Sequence, residues 1–144
     1  MSHASLTHRG FSLPELVLAL VIAGVATAIA VRPLRSYLDR SATRAAILQA
    51  SLAVGRARDE ALARHALVTL RVDTLLGTIA LASAGERLAM QAPGHEHGVR
   101  LSVTRDSIAF DVRGLGYGAA NLTLVARRGA AADTLVVSRL GRTR

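Results

Sequence analysis

The sequence of 144 residues contains no cysteine, no tryptophan and few other aromatic residues. Without cysteine the chain can form neither a disulfide scaffold nor a thiolate metal site, so its folded part must rely on an ordinary hydrophobic core. With two tyrosines and two phenylalanines as the only aromatic residues, stacking of nucleic-acid bases is disfavoured as a main mode of binding. Two features of the sequence stand out instead: a positive charge carried by arginines and a long apolar run.

Lysine is also absent, so all 18 basic residues are arginines, and they outnumber 10 acidic residues to give a formal net charge of +8. The planar guanidinium group matches the geometry of phosphate and carboxylate. A polyanion is therefore a candidate partner. A GC-rich genome also favours arginine over lysine, which explains the bias without a ligand but leaves the charge in place.

The apolar run lies near the N-terminus. From Leu16 to Val31 no residue is charged, and from Phe11 to Val31 the only charge is Glu15. As a helix, these residues span about 31 Å, close to the hydrocarbon thickness of a bilayer. A secretory signal peptide and a plain membrane anchor are two interpretations, but neither needs an acidic residue at membrane depth, which is costly.

The residues around Glu15 carry a resemblance. Arg9-Gly10-Phe11-Ser12-Leu13-Pro14-Glu15-Leu16 resembles the prepilin peptidase site of bacterial type IV pilins and type II secretion pseudopilins. The resemblance implies a leader of residues 1–10, cleavage between Gly10 and Phe11, and N-methylation of Phe11. It also implies that Glu15 promotes filament assembly by neutralising the N-terminus of a neighbouring subunit. The implied partners are prepilin peptidase, other pilins or pseudopilins and the inner membrane, crossed once with the C-terminal part in the periplasm.

Residues 34–65 are predicted to continue the helix. One stripe of the helix is apolar and is predicted to pack on a sheet: Leu34, Leu38, Ala45, Leu48 and Leu52. Two pairs of opposite charge, Arg35–Asp39 and Glu60–Arg64, have the i,i+4 spacing that stabilises helices.

After His65 the pattern changes to the alternation typical of half-buried, antiparallel strands. The clearest strands are Val68–Val72, Val99–Val103 and Ile108–Val112, and the further candidates are Leu75–Leu81, Leu88–Gln91, Asn121–Ala126 and Thr134–Leu140. Thr104–Ser107 is predicted to be a hairpin connection. The predicted fold is α+β, with a long N-terminal helix packed on an antiparallel β-sheet domain. The predicted divisions are a leader (1–10), a membrane and assembly helix (11–33), the periplasmic half of that helix (34–65) and a β-rich domain (66–144).

Two later segments narrow the resemblance. Ala57–Ala61 with Arg64 and Val68–Leu70, and the C-terminal run Leu135–Arg144, are similar to the GspH/FimT group of minor pilins and pseudopilins. The resemblance implies a subunit of a type II secretion pseudopilus or of a type IV pilus. Some FimT-like members bind DNA for natural transformation.

Two short motifs invite a catalytic or metal-binding interpretation. His95-Glu96-His97 contains metal-ligand types, but it lies between Pro93-Gly94 and Gly98, as a solvated loop would. The segment Gly114–Gly118 is glycine-rich, but no helix follows it to bind a phosphate, so a turn between strands is favoured. Without an organised nucleophile motif, the sequence predicts no enzyme activity, metal or cofactor.

The candidate DNA-binding residues are arginines of the last third of the chain together with one glycine: Arg127, Arg128, Arg139, Gly141, Arg142 and Arg144. The ending Gly-Arg-x-Arg matches the tail linked to DNA binding in FimT-like proteins. Arginines on this tail and on nearby loops could contact successive phosphates in a salt-sensitive, sequence-independent manner. The alternative is that these arginines are the solvated charges of an exposed sheet edge, where they discourage aggregation.

Overall fold

The computed structural model describes residues 12–118 and 121–144. The leader, the predicted cleavage site and Phe11 lie outside these residues. The chain divides into an N-terminal unit, Met1–Arg35, and a C-terminal unit, Ser36–Arg144. Helix α1 runs from Leu13 to Arg64 and contains Pro33.

The described part of the N-terminal unit is apolar helix. Its first turn is closed by the Ser12 carbonyl, which accepts hydrogen bonds from the backbone N–H groups of Glu15 (3.0 Å) and Leu16 (3.1 Å). Pro14 fits in this turn because the first backbone N–H groups of a helix have no partner within it. Within the described residues α1 is long and apolar enough to cross a membrane, although a signal sequence passes the same test.

The C-terminal unit packs its part of α1 on β-strands through small side chains. The buried face consists of Thr43, Ala46, Ile47, Ala50, Ala53, Val54, Ala57 and Ala61. The predicted leucine stripe was therefore wrong as a core-packing face. Leu48 and Leu52 are 56% and 70% exposed, and Leu52 follows the buried Ala50 by two residues, about 200° around the helix.

The reason for this reversal is the volume of the strand side chains. The largest fully buried residues come mainly from strands and include Phe110, Leu70, Ile79 and Leu81. Because interiors are close-packed, a face of alanines lets the helix approach a layer that is already filled. The leucines of α1 remain on the opposite face.

The strands form two antiparallel sheets. They are β1 (Val68–Asp73), β2 (Thr78–Ser83), β3 (Glu86–Gln91), β4 (Arg100–Val103), β5 (Ser107–Phe110), β6 (Gly116–Tyr117), β7 (Leu122–Arg128) and β8 (Ala131–Val137), and a short helix α2 (Pro93–Glu96) follows β3. Their spatial orders are β3-β2-β1-β5-β6 and β4-β7-β8. The predicted α+β fold, a long N-terminal helix packed on antiparallel β-structure, is confirmed.

The predicted hairpin at Thr104–Ser107 was wrong. The segment passes from one sheet to the other, because β4 pairs with β7 whereas β5 pairs with β1. Backbone hydrogen bonds fix both of its ends: the N–H of Thr104 donates to Thr123 O (3.0 Å), and the N–H of Val72 donates to Asp106 O (2.7 Å). Pairing partners distant in sequence therefore override the short connection.

Three predicted strands extended too far. Leu75 and Val112 lie outside β2 and β5, and β8 ends at Val137 rather than Leu140. Leu75, Val112 and Leu140 are exposed. Alternation of apolar residues continued past the strand ends, but the ladder of backbone hydrogen bonds did not.

Candidate assembly and anion-binding surfaces

Glu15 is the only predicted assembly residue within the described part of the chain. It lies in the first turn of α1, and its side chain is exposed. A carboxylate near a helix N-terminus is favoured by the helix dipole. The predicted cleavage site, Gly10–Phe11, lies outside the described residues.

The exposed leucine face of α1, defined in the C-terminal unit as Leu38, Leu48 and Leu52, is the second candidate assembly surface. The three residues repeat at near-helical spacing and lie opposite the alanine face. A row of exposed leucines on a helix whose other face is already packed is typical of a protein–protein contact.

Arg128 does not belong to the freely exposed arginines. Its Nε lies 3.1 Å from Oδ1 of Asp39, and its Nη1 donates to the His97 carbonyl at 2.8 Å. Asp39, which was predicted to pair with Arg35, therefore pairs with Arg128, while the predicted Glu60–Arg64 pair is present at 2.9 Å. Arg128 fastens the β7–β8 turn to α1.

Arg127 instead faces Arg100, a residue that the sequence did not single out. Arg100 and Arg127 are directly opposed in the β4–β7 pairing, so their side chains project from the same face of the sheet. Together with Gly98, Arg128 and Gly129 they line a groove of about 460 Å³. The sequence singled out Arg127 and Arg128, but only the register of β4 with β7 could add Arg100 to them, since Arg100 is not part of a local basic motif.

The C-terminal tail folds back on β8. The backbone N–H groups of Val136 and Arg144 donate to each other's carbonyls at 2.8 and 2.9 Å. Ser138 N–H donates to the Arg142 carbonyl at 2.8 Å. The side chains of Arg139, Arg142 and Arg144 are exposed, and among residues 12–118 and 121–144 they have no acidic partner.

Gly141 lets the tail turn against the core. Its φ is +71°, and a Cβ there would lie 3.2 Å from Phe110 Cε1 and 3.7 Å from the Gly114 carbonyl. The tail also borders a groove of about 400 Å³ whose lining includes Arg58 and Asp59 of α1. The predicted glycine therefore has a definite structural role.

The six predicted DNA-binding residues separate into two groups. Arg127 and Arg128 lie at the β7–β8 turn, whereas the tail pairs with Val136 and Val137 at the other end of that hairpin. The seven residues of β7 span about 20 Å. Because of this separation, a few successive phosphates cannot contact the turn arginines and the tail arginines at the same time.

Asp111 organises the turn beneath the tail. Its Oδ1 accepts hydrogen bonds from the backbone N–H groups of Leu115 and Arg113, both at 2.9 Å, and its Oδ2 lies 3.0 Å from Arg113 Nη2. These hydrogen bonds, first of all the one from Leu115, lower the pKa of the Asp111 carboxyl. This turn leads into the short strand β6, which lies within the glycine-rich segment Gly114–Gly118 and pairs with β5.

Two residues of the histidine motif contact Gln49 of α1. Glu96 accepts a hydrogen bond from Gln49 Nε2 at 2.8 Å, and His97 Nε2 lies 3.1 Å from Gln49 Oε1. These contacts attach the short helix α2 to α1, while His95 and Glu96 stay exposed, so the motif is solvated as predicted but is helical rather than a loop. Within the described residues no three potential metal ligands converge.

Comparison with known proteins supports the N-terminal motif and the fold. Residues 6–31 match the family model described as the prokaryotic N-terminal methylation motif. Comparison with curated protein sequences gives no significant match.

Among solved structures, the chain is similar to the type IV minor pilin FimU of Pseudomonas aeruginosa in two crystal forms. The first gives a TM-score of 0.61 at 14% identity, covering 73% of this chain and 88% of FimU. The second gives 0.57 at 13% identity, covering 70% and 90%. The chain therefore combines a prokaryotic N-terminal methylation motif at residues 6–31 with a pilin-like fold.

Proposed function

We propose that this chain is a minor pilin or pseudopilin of the GspH/FimT type. In this proposal prepilin peptidase cuts between Gly10 and Phe11, Phe11 is N-methylated, and α1 holds the protein in the inner membrane. The C-terminal unit lies in the periplasm, and the chain then enters a type IV pilus or a type II secretion pseudopilus. The observation that carries the proposal is the methylation motif at residues 6–31, on the same chain as a FimU-like fold. The role is structural, without catalysis or a cofactor.

The two faces of α1 support assembly. The alanine face is used within the C-terminal unit, whereas Leu48 and Leu52 are exposed. Neighbouring subunits in a filament would remove these leucines from water. Full burial of a leucine contributes about 1.5–3 kcal/mol, so a repeated contact of this kind would stabilise a filament appreciably.

Processing gives the direct test. The full chain is expressed with and without active prepilin peptidase, and the N-terminus is read by intact-mass spectrometry. We expect loss of residues 1–10 and addition of one methyl group at Phe11 only when the peptidase is active. Gly10→Val should block the cut, whereas Ala4→Val, a matched change within the leader, should not. Retention of the full-length precursor beside active peptidase would contradict the proposal.

A second candidate function, DNA binding for natural transformation, is favoured by the tail. Backbone pairing with β8 holds the tail in place, while the arginine side chains of the tail stay exposed and have no acidic partner among the described residues. Exposed guanidinium groups on a backbone held in this way suit a phosphate backbone. The function would place the protein in a DNA-uptake pilus rather than a secretion pseudopilus.

DNA binding can be measured on the C-terminal unit, because the core residues identified among the described ones run from Ala46 to Val137 and lie entirely within this unit. We expect affinity for duplex DNA to fall with salt, and Arg142→Ala/Arg144→Ala to weaken it and reduce the salt slope by about two. Arg56→Ala/Arg87→Ala removes the same charge at exposed sites outside the tail. Equal losses in both variants, or no binding at low salt, would leave the tail arginines as surface charge.

A further inference from the structure

One end of the C-terminal unit combines apolar and cationic side chains. Leu75–Leu76, in the turn between β1 and β2, are 96% and 69% exposed. A groove of about 500 Å³ runs from this turn to Gly98 and Arg100. The groove lined by Arg127 and Arg128 begins at the same two residues. We call the surface formed by Leu75, Leu76, Arg100, Arg127 and Arg128 the leucine–arginine edge.

The apolar tip of this edge is held outward by its backbone. Asp73 Oδ1 accepts hydrogen bonds from the N–H groups of Leu75 (2.9 Å) and Leu76 (3.0 Å). The Gly94 N–H donates to the Gly77 carbonyl at 2.9 Å, which fixes the turn against α2. Two leucines fixed in this way remain exposed to water, and exposed apolar groups rimmed by polar residues mark interaction sites.

The cationic part is arranged for an anion. Arg100 and Arg127 are direct cross-strand neighbours, and like charges in that position destabilise a sheet. Arg128 is oriented by Asp39 and by the His97 carbonyl. Arg128 is thus paired with Asp39, whereas among the described residues Arg100 and Arg127 have no acidic partner, so an anion bound between these two would relieve their repulsion.

An adjoining groove extends the apolar surface. It has a volume of about 390 Å³, shares Gly98 and Arg128 with the arginine groove, and is lined along α1 by Leu38, Ala42 and Ala45. Glu96, the acidic residue in this groove, is hydrogen-bonded by Gln49. Apolar surface therefore flanks the arginines on two sides.

The length of the chain limits how far Asp39, and Arg128 with it, can lie from the end of the apolar run. Asp39, which pairs with Arg128, follows Val31 by eight residues. Eight residues span at most about 29 Å even when fully extended. If the run spans a bilayer, this tether is short enough for the edge to reach its surface.

We propose that the leucine–arginine edge binds anionic membrane lipids: Leu75 and Leu76 enter the interface, and Arg100 and Arg127 contact phosphate headgroups. The proposal rests on the membrane anchoring in the proposed function. A phosphate bordered by hydrocarbon is found in an anionic lipid, whereas DNA offers phosphates without an apolar neighbour for the leucines. The contact would hold the C-terminal unit at the membrane until assembly withdraws it.

The test uses the full chain in nanodiscs of phosphatidylcholine, with or without phosphatidylglycerol. Because the sequence has no cysteine, Ala130→Cys in the β7–β8 turn gives a single site for a fluorophore, and lipids with a quencher at the headgroup report its distance from the membrane. We expect quenching to increase when phosphatidylglycerol is present and to decrease with salt. A fluorophore at Thr143→Cys, on the tail, should show little change.

Matched variants locate the contact. Each arginine near an anionic surface contributes roughly fivefold to the binding equilibrium, so Arg100→Gln/Arg127→Gln should lower docking about 25-fold. Leu75→Gln/Leu76→Gln should lower docking tenfold or more, which is about the effect of burying one leucine side chain. Arg142→Gln/Arg144→Gln and Leu48→Gln/Leu52→Gln make the same chemical changes elsewhere and should leave quenching intact.

Other outcomes would overturn the proposal. Equal quenching without phosphatidylglycerol would show that the contact does not require an anionic lipid. An equal loss of quenching in the control variants would show that the contact is not made by the leucine–arginine edge. Release by inorganic phosphate alone would assign the arginines to a soluble anion, and release by duplex DNA that also requires Arg100 and Arg127 would assign them to nucleic acid. If the chain enters nanodiscs of neither composition, the membrane anchoring in the proposed function is contradicted. If the chain enters them but shows no quenching that depends on phosphatidylglycerol, only the lipid contact of the edge is contradicted.

Discussion

Arg128 on the β7–β8 turn and Asp39 on α1 form an ion pair, with Nε 3.1 Å from Oδ1. A side chain at Gly129 would meet the carboxylate of Asp39, so glycine at this position keeps the turn close to the helix. The pair joins two segments that are almost 90 residues apart in the sequence. It also removes Arg128 from the set of arginines that are free to bind a ligand with the whole guanidinium group.

This pair leads to a stability prediction. Arg128→Gln should lower the free energy of unfolding of the C-terminal unit by about 1 kcal/mol, because it removes a half-exposed ion pair and a hydrogen bond to a carbonyl. Arg127→Gln removes the same charge but relieves the repulsion from Arg100, so it should leave stability unchanged or slightly higher. Urea denaturation measures both, and equal losses would show that Arg128 acts only through net charge.

The leucine face of α1 should matter for assembly but not for folding. Leu48→Gln/Leu52→Gln keeps helix propensity nearly constant and alters two exposed residues, so the free energy of unfolding should change by less than about 0.5 kcal/mol. Recovery of the protein in sheared filaments should fall sharply. Ala50→Gln, on the buried face, should instead lower stability by about 1–3 kcal/mol through overpacking.

The opposite pattern would contradict this assignment. If Leu48→Gln/Leu52→Gln unfolds the C-terminal unit as readily as Ala50→Gln does, the leucines belong to the core. If filaments form normally, another surface mediates assembly.

Acid should weaken the turn that supports the tail. The folded-state pKa of Asp111 is lowered, mainly by the hydrogen bond from the Leu115 N–H, so its stabilising contribution is present above the pKa of an unfolded aspartate, about 3.9. The contribution is lost as the pH falls through the lower, folded value. Asp111→Asn should therefore be less stable than the wild type at neutral pH, and the two stabilities should converge in acid.

A pH series of thermal melting temperatures measures this convergence. Arg113→Gln provides the control, because it removes the side-chain contact but keeps both backbone hydrogen bonds to Asp111, and its effect should be smaller. A difference between wild type and Asp111→Asn that is constant with pH would show that the charge of Asp111 has no part in stability.

Replacing Gly94 and Gly55 by alanine should change the free energy of unfolding in opposite directions. A Cβ at Gly94 would lie 2.6 Å from the Gly77 Cα, a distance that requires the backbone to move, so Gly94→Ala should cost on the order of 2–4 kcal/mol. Gly55 lies inside α1, and among the described residues no atom beyond its own helical turns lies within 4 Å of where a Cβ would be. Gly55→Ala should therefore add about 0.5–1 kcal/mol. Equal effects in chemical denaturation would contradict the close contact between the two turns.

Much of the secondary structure could be predicted because its signals are local. The uncharged run and the later alternation place α1 and most strands within a few residues of their observed bounds. The N-terminal motif is also a local pattern, and the family model matches it at residues 6–31. The hairpin at Thr104–Ser107 failed because the pairing of β4 with β7 depends on residues far away in the sequence.

The candidate surfaces were only partly predictable. The sequence singled out the exposed tail arginines, but it grouped them with Arg127 and Arg128, and it missed Arg100. Only the β4–β7 register brings Arg100 opposite Arg127, and only the packing of the β7–β8 turn on α1 gives Arg128 its partner.

The sequence by itself therefore determined the apolar helix, the N-terminal motif and the α+β class, because hydrophobic period and helix length act over neighbouring residues. The tertiary structure decided which face of α1 is buried and which arginines meet. Those outcomes depend on volume: bulky strand residues such as Phe110 and Leu70 fill the core, so α1 packs through alanines and its leucines stay outside.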